Sequence, residues 1–413
     1  MRAVFLDRDG VINNGELVHS LNQLKLFDNA ADAIKILNAL KMPVIVITNQ
    51  PVVARGLCDE DMVKRINQRM VDELAKKGAK IDAVYYCPHH PERQYGGNLA
   101  YRVECKCRKP KTGMLEQAAS DFGLDLTRCF FIGDSMRDMK TAQAVSCRKI
   151  LVKTGHAGSD AEFKTEPDFL CNDIKEAALL VKKLHNMKAL ILAGGLGTRM
   201  RGVTKDQIPK VLLQYNGKTI LEQQIEFLKK YGIESVILCT CFRKEVIKNF
   251  LANKNLGMKI VISEENEPLG TGGAVKNARN LVDETFLMLY GDLAVDMNLN
   301  KLLDFHFSKK GLLTIVLHES DHPYDSDLVE VDESGLVKSF LGKPDPNKPL
   351  PTKLTKTSIY VVEPAVFDFM PEKGSFEDVA IPAIIENHQC FGYVTEELVR
   401  DIGTPDRYEK ARK

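Results

Sequence analysis

The chain has 413 residues, 44% of them hydrophobic, with 57 Lys+Arg against 56 Asp+Glu and a net charge of +1. That length suits about two to three domains able to bury a core, and the balanced charge excludes a strongly basic platform, so no nucleic-acid partner is expected. No apolar run reaches the ~18 residues of a membrane span, no apolar leader follows Met1-Arg2, and ten Cys, seven before residue 188 and three after, do not pattern as a secreted disulfide framework. A cytoplasmic protein with no membrane partner is expected.

Apolar runs and helical spacing alternate along the whole chain, the signature of an α/β fold. Strands are expected at Ala3–Leu6, Val44–Thr48, Ala83–Tyr86 and Phe130–Ile132. Helices are expected over Asn29–Leu40, Asp59–Lys77, around Gly113–Phe122 and after Asp138. Asp173–His185 carries Ile174, Ala177, Ala178, Val181 and Leu184 at helical spacing and reads as a closing helix. Met187-Lys188 then leads into a fresh strand, Ala189–Leu192, and a glycine cluster. Two domains are expected, residues 1–186 and 187–413, with no Pro/Gly/Ser linker between them.

Asp7-Arg8-Asp9-Gly10 follows the first strand. Side chains alternate along a strand, so Asp7 and Asp9 project to one side where it frays, and α/β proteins gather ligands at the carboxyl ends of parallel strands. Two carboxylates there can hold Mg²⁺, one being free to attack phosphorus; a solvated turn is the alternative. The second strand ends in Thr48-Asn49, a hydroxyl and an amide suited to a phosphoryl oxygen. Cys107-Arg108-Lys109-Pro110 brings cations. Phe130–Ile132 runs into Gly133-Asp134-Ser135, with Asp138 close behind. Cys87, His89, Cys105 and Cys107 offer three thiolates and an imidazole to one tetrahedral Zn²⁺, although gaps of one residue leave a redox-active or merely buried cysteine pair open.

In this order the motifs DRDGVIN, TNQ, VARG, CPHHP, CxCRKP and IGDS resemble the haloacid-dehalogenase phosphatase superfamily over about residues 1–186. They look most like its zinc-containing branch of heptose bisphosphate and histidinol-phosphate phosphatases. The resemblance implies a Rossmann-like phosphatase domain. Asp7 is then the nucleophile that forms an aspartyl-phosphate, and Asp9 the general acid/base. Thr48 and Lys109 hold phosphoryl oxygens, while Asp7, Asp9 (through its carbonyl) and Asp134 hold Mg²⁺. Asn49, Arg55 and Arg108 fall to substrate binding, the arginines at its far end. Zn²⁺ on Cys87, His89, Cys105 and Cys107 is structural and pins the loop carrying Arg108 and Lys109; His90 is a neighbour. One departure is Pro51-Val52-Val53 after Gln50, where this branch usually has Ser-Gly and an aliphatic residue.

In the second half, Leu192-Ala193-Gly194-Gly195-Leu196-Gly197-Thr198-Arg199 follows a strand. Glycines let backbone N–H groups approach phosphate oxygens. The loop fails as GxGxxG because Met200 replaces the third glycine, and it is no P-loop; a glycine turn without ligand stays open. Ile208-Pro209-Lys210, Glu265–Ala274 (a second glycine loop), Tyr290-Gly291-Asp292, Lys343-Pro344, Ile359–Val362 and Asp401-Ile402-Gly403-Thr404-Pro405 follow. Together these motifs resemble the sugar-1-phosphate nucleotidyltransferase family, with its GT-A-like mixed-sheet α/β fold, over nearly all of 187–413. The resemblance implies that residues 192–195, 197, 198 and Arg199 cradle a nucleoside triphosphate. Lys210 neutralises charge at the reacting phosphates, Asp292 and Asp401 hold Mg²⁺, Glu265 and Gly270 contact the base, and Lys343 meets the sugar phosphate. Departures are Val211 after Lys210, Gly342 before Lys343, and Thr357-Ser358 before the Ile-Tyr-Val run.

Fusion of the two implies consecutive steps. A sugar bisphosphate loses its distal phosphate, and the resulting sugar 1-phosphate reacts with a nucleoside triphosphate. Heptose 1,7-bisphosphate and GTP, giving GDP-heptose, fit this logic. Mannose or another hexose, ATP, and a non-catalytic binding module are the rivals. A homo-oligomer is a further expectation.

Overall fold

A computed structural model describes residues 1–413 except 93–96, 161–162, 321–322, 326, 343, 346–348 and 413. The chain divides into two compact units, Met1–His185 and Asn186–Lys413.

The first unit runs β1 (Val4–Leu6), β2 (Asn13–Asn14), β3 (Lys25–Leu26), α1 (Ala30–Ala39), β4 (Val44–Asn49), α2 (Glu60–Lys76), β5 (Ala83–Cys87), α3 (Gly113–Phe122), β6 (Phe130–Gly133), α4 (Met136–Ala144), β7 (Arg148–Val152), β8 (Phe169–Cys171) and α5 (Ile174–Asn186). Six strands form a parallel sheet in the order β5-β4-β1-β6-β7-β8. Val4-Phe5-Leu6 and Val44–Ile47 are fully buried, as strands covered by helices on both faces must be. Each such side chain contributes roughly 1.5–3 kcal/mol. From β1 the chain moves outward in one direction through β4 and in the other through β6, which opens a crevice at their carboxyl ends.

Local chemistry sets the helix ends. Asp59 caps α2 by accepting from Met62 N at 2.8 Å. The helix expected after Asp138 starts earlier, at Met136. Ser135 is its N-cap, taking the Asp138 N–H on its hydroxyl (3.2 Å), while the Asp138 carboxylate accepts from Ser135 N (3.3 Å) and Ser135 Oγ (2.6 Å). Asp138 therefore sits in the first turn of α4, one turn past Asp134.

The second unit runs β9 (Lys188–Leu192), α6 (Arg201–Thr204), β10 (Gln214–Tyr215), β11 (Lys218–Thr219), α7 (Ile220–Lys230), β12 (Ser235–Thr240), α8 (Lys244–Asn253), β13 (Lys259–Glu264), α9 (Gly270–Asn277), β14 (Phe286–Tyr290), β15 (Leu293–Asp296), α10 (Leu299–Lys309), β16 (Leu313–Glu319), β17 (Leu328–Val331), β18 (Val337–Gly342), β19 (Leu354–Val362), α11 (Ile381–Glu386), β20 (Cys390–Val394), β21 (Leu398–Asp401) and α12 (Pro405–Arg412). Its main sheet is mixed, in the order β13-β12-β9-β14-β19-β16-β20. The first four strands are parallel, and β19 runs antiparallel to both β14 and β16. A separate antiparallel pair joins β15 to β21. Among the described residues no helix is long and apolar enough to cross a membrane.

Candidate active sites

Asp7 follows β1, Thr48 lies near the end of β4 and Asp134 follows β6, so the strand order alone brings these three together. Lys109 reaches them from the loop before α3. Its Nζ lies 2.8 Å from Asp7 Oδ2 and 2.6 Å from Asp138 Oδ1, and donates to Ile47 O at 3.0 Å. The Asn49 amide clasps the Lys109 backbone in both directions, donating to its carbonyl (3.1 Å) and accepting from its N–H (3.0 Å). Asn49 thus fixes the lysine. The Thr48 hydroxyl accepts from Gln50 Nε2 at 3.0 Å.

Asp9 is turned to other partners. Its carboxylate accepts from Arg8 Nε (3.0 Å) and Nη2 (3.1 Å), Asn13 Nδ2 (2.9 Å) and Gln50 Nε2 (2.8 Å). Arg8 is fully buried and donates its remaining nitrogen to Asn67 Oδ1 on α2 at 2.9 Å. The Pro51-Val52-Val53 departure is absorbed by packing: Val52 and Val53 join Val63 in an apolar cluster. A cavity of about 710 Å³ opens over the site, lined by Asp7, Asp9, Thr48, Asp134, Arg55 and Arg108 among others. The Arg55 Nε–H is buried there without a partner.

Burial pushes the Asp7 carboxyl well above the usual range, with Asp138 and Asp134 adding to the shift and Lys109 opposing it. Burial and then Asp138 push Asp134 up to about 7. Burial alone would lower the Lys109 ammonium, but Asp138 and Asp7 outweigh it and hold it above its ordinary value. Three carboxylates thus face one ammonium. Carboxylate oxygens of Asp7, Asp134 and Asp138 lie within 4.8 Å of one another, a hard-oxygen donor set that fits a divalent cation such as Mg²⁺. Gly10 and Gly155 close on the Asp134 carboxylate from two loops; a Cβ on either would strike it. The backbone N–H of His156 donates to that carboxylate at 2.7 Å.

The second cluster is Cys87, His89, Cys105 and Cys107. Cys87 Sγ lies 3.6 Å from Cys105 Sγ, 3.2 Å from Cys107 Sγ and 3.7 Å from His89 Nδ1, which is 3.4 Å from Cys107 Sγ. Bond lengths of about 2.0–2.3 Å in a tetrahedron imply edges near these values, so the four groups fit Zn²⁺. A shared hydrogen bond pushes the Cys87 thiol up and pulls the Cys107 thiol down. His90 is not a member of the cluster. Arg108 Nη1 donates to His89 O at 3.2 Å, tying the arginine to this loop.

In the second unit the glycine loop leaves β9 at Leu192, and Ala193 N donates to Cys239 O at 2.8 Å. Gly195 is open, with nothing within 4 Å of a Cβ placed on it, and Gly197 takes φ +63° beside the Lys210 side chain. Thr198 and Arg199 are exposed. The loop passes over Glu265: a Cβ on Gly194 would lie 3.0 Å from Glu265 Oε1. Burial raises the Glu265 carboxyl, and its other oxygen accepts from Leu269 N at 3.0 Å. Gly270 opens α9 at φ +76°, pressed against the Gly374 backbone.

Lys210 Nζ lies 3.1 Å from Asp292 Oδ2. The register of β15 on β21 pairs Leu293 with Asp401, and Ile402 N donates to Asp292 O at 2.9 Å. Asp292 and Asp401 therefore converge: a Cβ on Gly403 would meet both carboxylates. Two carboxylates so placed fit a divalent cation. Lys343 lies outside the described residues.

Sequence reading missed Arg8 and Asn67, which orient Asp9, and Gln224, whose Nε2 donates to Tyr290 O (2.8 Å) and Leu293 O (3.0 Å) on either side of Asp292. The signal was available. Asn67 and Gln224 are buried amides on mainly apolar helix faces, among Val63, Ile66 and Met70 in α2 and among Leu221, Ile225 and Leu228 in α7.

The nucleotidyl transferase family matches residues 188–413, and a HAD-hydrolase-like family matches residues 106–177. The chain is 35% identical over 187 residues to the D-glycero-β-D-manno-heptose-1,7-bisphosphate 7-phosphatase of Pasteurella multocida, covering 45% of this chain and 99% of that one. It is 36% identical over 230 residues to "Probable mannose-1-phosphate guanylyltransferase 2" of Oryza sativa subsp. japonica, covering 54% of this chain and 63% of that one. The crystal structure of HddC from Yersinia pseudotuberculosis is 29% identical, with a TM-score of 0.47, over 55% of this chain and 97% of that one.

Proposed function

We propose a function that proceeds from one premise: this chain belongs at once to the nucleotidyl transferase family and to the family of D-glycero-β-D-manno-heptose-1,7-bisphosphate 7-phosphatases. Residues 1–186 act as a phosphatase and residues 187–413 as a sugar-1-phosphate nucleotidyltransferase. Together they convert D-glycero-D-manno-heptose 1,7-bisphosphate to heptose 1-phosphate and then, with GTP, to GDP-heptose and pyrophosphate. The observation that carries the reading is the Asp7–Lys109–Asp138 cluster beside Asp134 at the end of the central strand.

In the first unit, an Asp7 oxygen attacks the distal phosphorus and the phosphorus–oxygen ester bond breaks. Asp9 gives the leaving alkoxide its proton, then takes one from the water that hydrolyses the aspartyl-phosphate. To do so it must release at least one of the four donors that hold it. Lys109 and Thr48 meet the phosphoryl oxygens, and Arg55 and Arg108 read the far phosphate, the Arg55 Nε–H being unpaired there. Mg²⁺, held by Asp7, Asp134 and the Asp9 carbonyl, supplies charge neutralisation. Zn²⁺ on the three cysteines and His89 is structural, tying down the loop of Arg108 and Lys109.

In the second unit, an oxygen of the sugar 1-phosphate displaces pyrophosphate at the α-phosphorus of the nucleotide, with no covalent enzyme intermediate. Residues 192–195, 197, 198 and Arg199 cradle the triphosphate, and Glu265 and Gly270 lie at the base. Lys210 neutralises charge between the reacting phosphates, Asp292 and Asp401 hold Mg²⁺, and Lys343 meets the sugar phosphate. Guanine is favoured because a relative over this half carries a guanylyltransferase name; the same name makes a hexose such as mannose the second reading. Such substrates belong to the cytoplasm, and a homo-oligomer is part of the same reading.

A ³¹P NMR time course of the full chain with Mg²⁺, heptose 1,7-bisphosphate (each anomer separately) and GTP or ATP tests the proposal. Inorganic phosphate first, then pyrophosphate and a new diphosphate ester with GTP, is the expected result. Pyrophosphate only with mannose 1-phosphate would move the second unit to the hexose reading. Neither phosphate nor pyrophosphate from folded, metal-loaded protein would overturn the assignment.

A further inference from the structure

Glu377 lies between Phe376 and Asp378 after the Ser375 cap, far in sequence from every motif above, yet five side chains converge on it. Its Oε1 accepts from the Tyr290 hydroxyl, from Lys356 Nζ (3.3 Å) and from the Tyr360 hydroxyl (3.4 Å). Its Oε2 accepts from Thr271 Oγ1 (3.0 Å) and Ser375 Oγ (3.3 Å). A carboxylate offers about four lone-pair directions, so five donors exceed its capacity and at least one must find another acceptor. A largely buried ion pair of this kind is weak support for stability by itself. Lys356 and Glu377 are not sealed in: their side chains are 12% and 13% exposed.

The sheet places this cluster at the strand end that leads into Asp292. β14 ends at Tyr290 and passes directly into Gly291-Asp292. β19 is antiparallel to it, with Leu289 opposite Ile359, so the residues of β19 before Ile359 project past the carboxyl end of β14. An irregularity follows: β16 advances from Ile315 to Leu317 while β19 goes from Tyr360 back to Lys356, and Ser358 takes φ +73°. Bulges of this sort re-aim side chains, and here Lys356 comes to lie 5.9 Å from the centre of the Tyr290 ring. The cluster and Asp292 therefore occupy the same end of the same strand.

We infer that Glu377, Lys356 and Tyr290 form a clamp for the hydroxylated ring of the glycosyl 1-phosphate, whose phosphate lies at Lys210 and Asp292. This inference rests on the nucleotidyltransferase reading and gives its sugar side named residues. A carboxylate beside an ammonium and a phenol matches vicinal hydroxyls, each of which both donates and accepts. Glu377 at 3.3 Å and Asp327 at 3.9 Å from Lys356 Nζ set two carboxylates against one ammonium, so the clamp suits neutral hydroxyls and disfavours a second phosphate. The second unit would then use the sugar only after the distal phosphate is gone.

The test uses the full chain with Glu377→Gln, Lys356→Ala and Tyr290→Phe, each assayed for pyrophosphate release with heptose 1-phosphate or mannose 1-phosphate. Loss of one charge-assisted contact should raise KM for the sugar 1-phosphate about 10- to 100-fold while KM for GTP stays within about 2-fold. Tyr290→Phe removes only a hydroxyl and keeps the test alive if a charge variant does not fold; phosphate release by the first unit checks integrity. Equal rises in both KM values, or a fall in kcat with the sugar KM unchanged, would reduce the cluster to a structural one. Heptose 1,7-bisphosphate offered to an Asp7→Asn chain, which leaves it intact, should give little pyrophosphate; use equal to that of heptose 1-phosphate would overturn the clamp. If the unaltered protein releases no pyrophosphate at all, the underlying reading fails, and calorimetric binding of mannose 1-phosphate decides the clamp separately. Binding lost in Glu377→Gln supports it, whereas unchanged or absent binding refutes it.

Discussion

The two candidate sites handle charge in opposite ways. In the first unit, Lys109 and Asp138 are almost completely buried, with side chains 2% and 0% exposed, and Asp7 is 12% exposed beside them. In the second, the comparable pair, Lys210 and Asp292, is 18% and 20% exposed, and Arg199 stands on an open glycine loop. A buried array strengthens each electrostatic contact and excludes water until the chemistry calls for it. That suits a carboxylate which must itself become a nucleophile. A site that seats two polyanions and releases a third has to open, and a glycine loop with partly exposed charges is the corresponding design.

That contrast can be broken by experiments in which each site is damaged alone. Asp7→Asn should lower phosphate release at least ~10³-fold and leave pyrophosphate release unaltered; loss of both would show that the sites are not separable. Lys210→Ala should do the reverse more mildly, because a partly exposed lysine contributes less, lowering pyrophosphate release by ~10²-fold with phosphate release intact. Cys107→Ser should remove zinc, measured by atomic absorption, and lower the melting temperature of the first unit by several degrees. A variant that keeps its metal and its stability would exclude the tetrahedral site.

The smallest effect belongs to Glu222, which closes a capping box on Thr219 and pairs with Lys254. Burial pushes its carboxyl up, but Lys254 and Thr219 pull it down to about 2 from 4.5. A depressed folded value means that its stabilisation is complete above pH ~4.5 and fades as pH falls toward 2. Glu222→Gln should cost about 1 kcal/mol at neutral pH, and this difference from the unaltered protein should shrink in acid, as read by denaturant titration at several pH values. A pH-independent difference would place the effect in packing.

Much of the first site was legible because each of its residues sits at the end of an uninterrupted apolar run: Asp7 after Val4–Leu6, Thr48 within Val44–Asn49, Asp134 after Phe130–Gly133. Local grammar fails where a side chain serves two purposes. Asp138 is at once a helix-capping residue and a partner of Lys109, and only the fold reveals the second role. Asn49 looks like a substrate amide but is engaged by the Lys109 backbone. The orienting of Asp9 went unread because Arg8 sits inside the motif itself, and its partner Asn67, marked only as a buried amide on the apolar face of α2, lies 59 residues away. In the second unit the motifs mark the phosphate side well. Glu377 and Lys356 escape notice because a strand irregularity and an antiparallel pairing, neither encoded by a short pattern, bring them together.

The two glycines that close on Asp134 carry a consequence for how this protein can change over evolutionary time. Gly10 comes from the loop after β1 and Gly155 from the loop after β7, and at either position even a methyl group would displace the carboxylate. Both also hold a left-handed backbone, with φ of +77° and +61°, so neither can drift to alanine as a first step toward anything else. A randomised library selected for phosphate release would be depleted of variants at codons 10 and 155 as severely as at codon 7, although neither glycine offers a reactive atom. Lineages descending from this chain can lose the first activity through either position, but they have no gradual route around it.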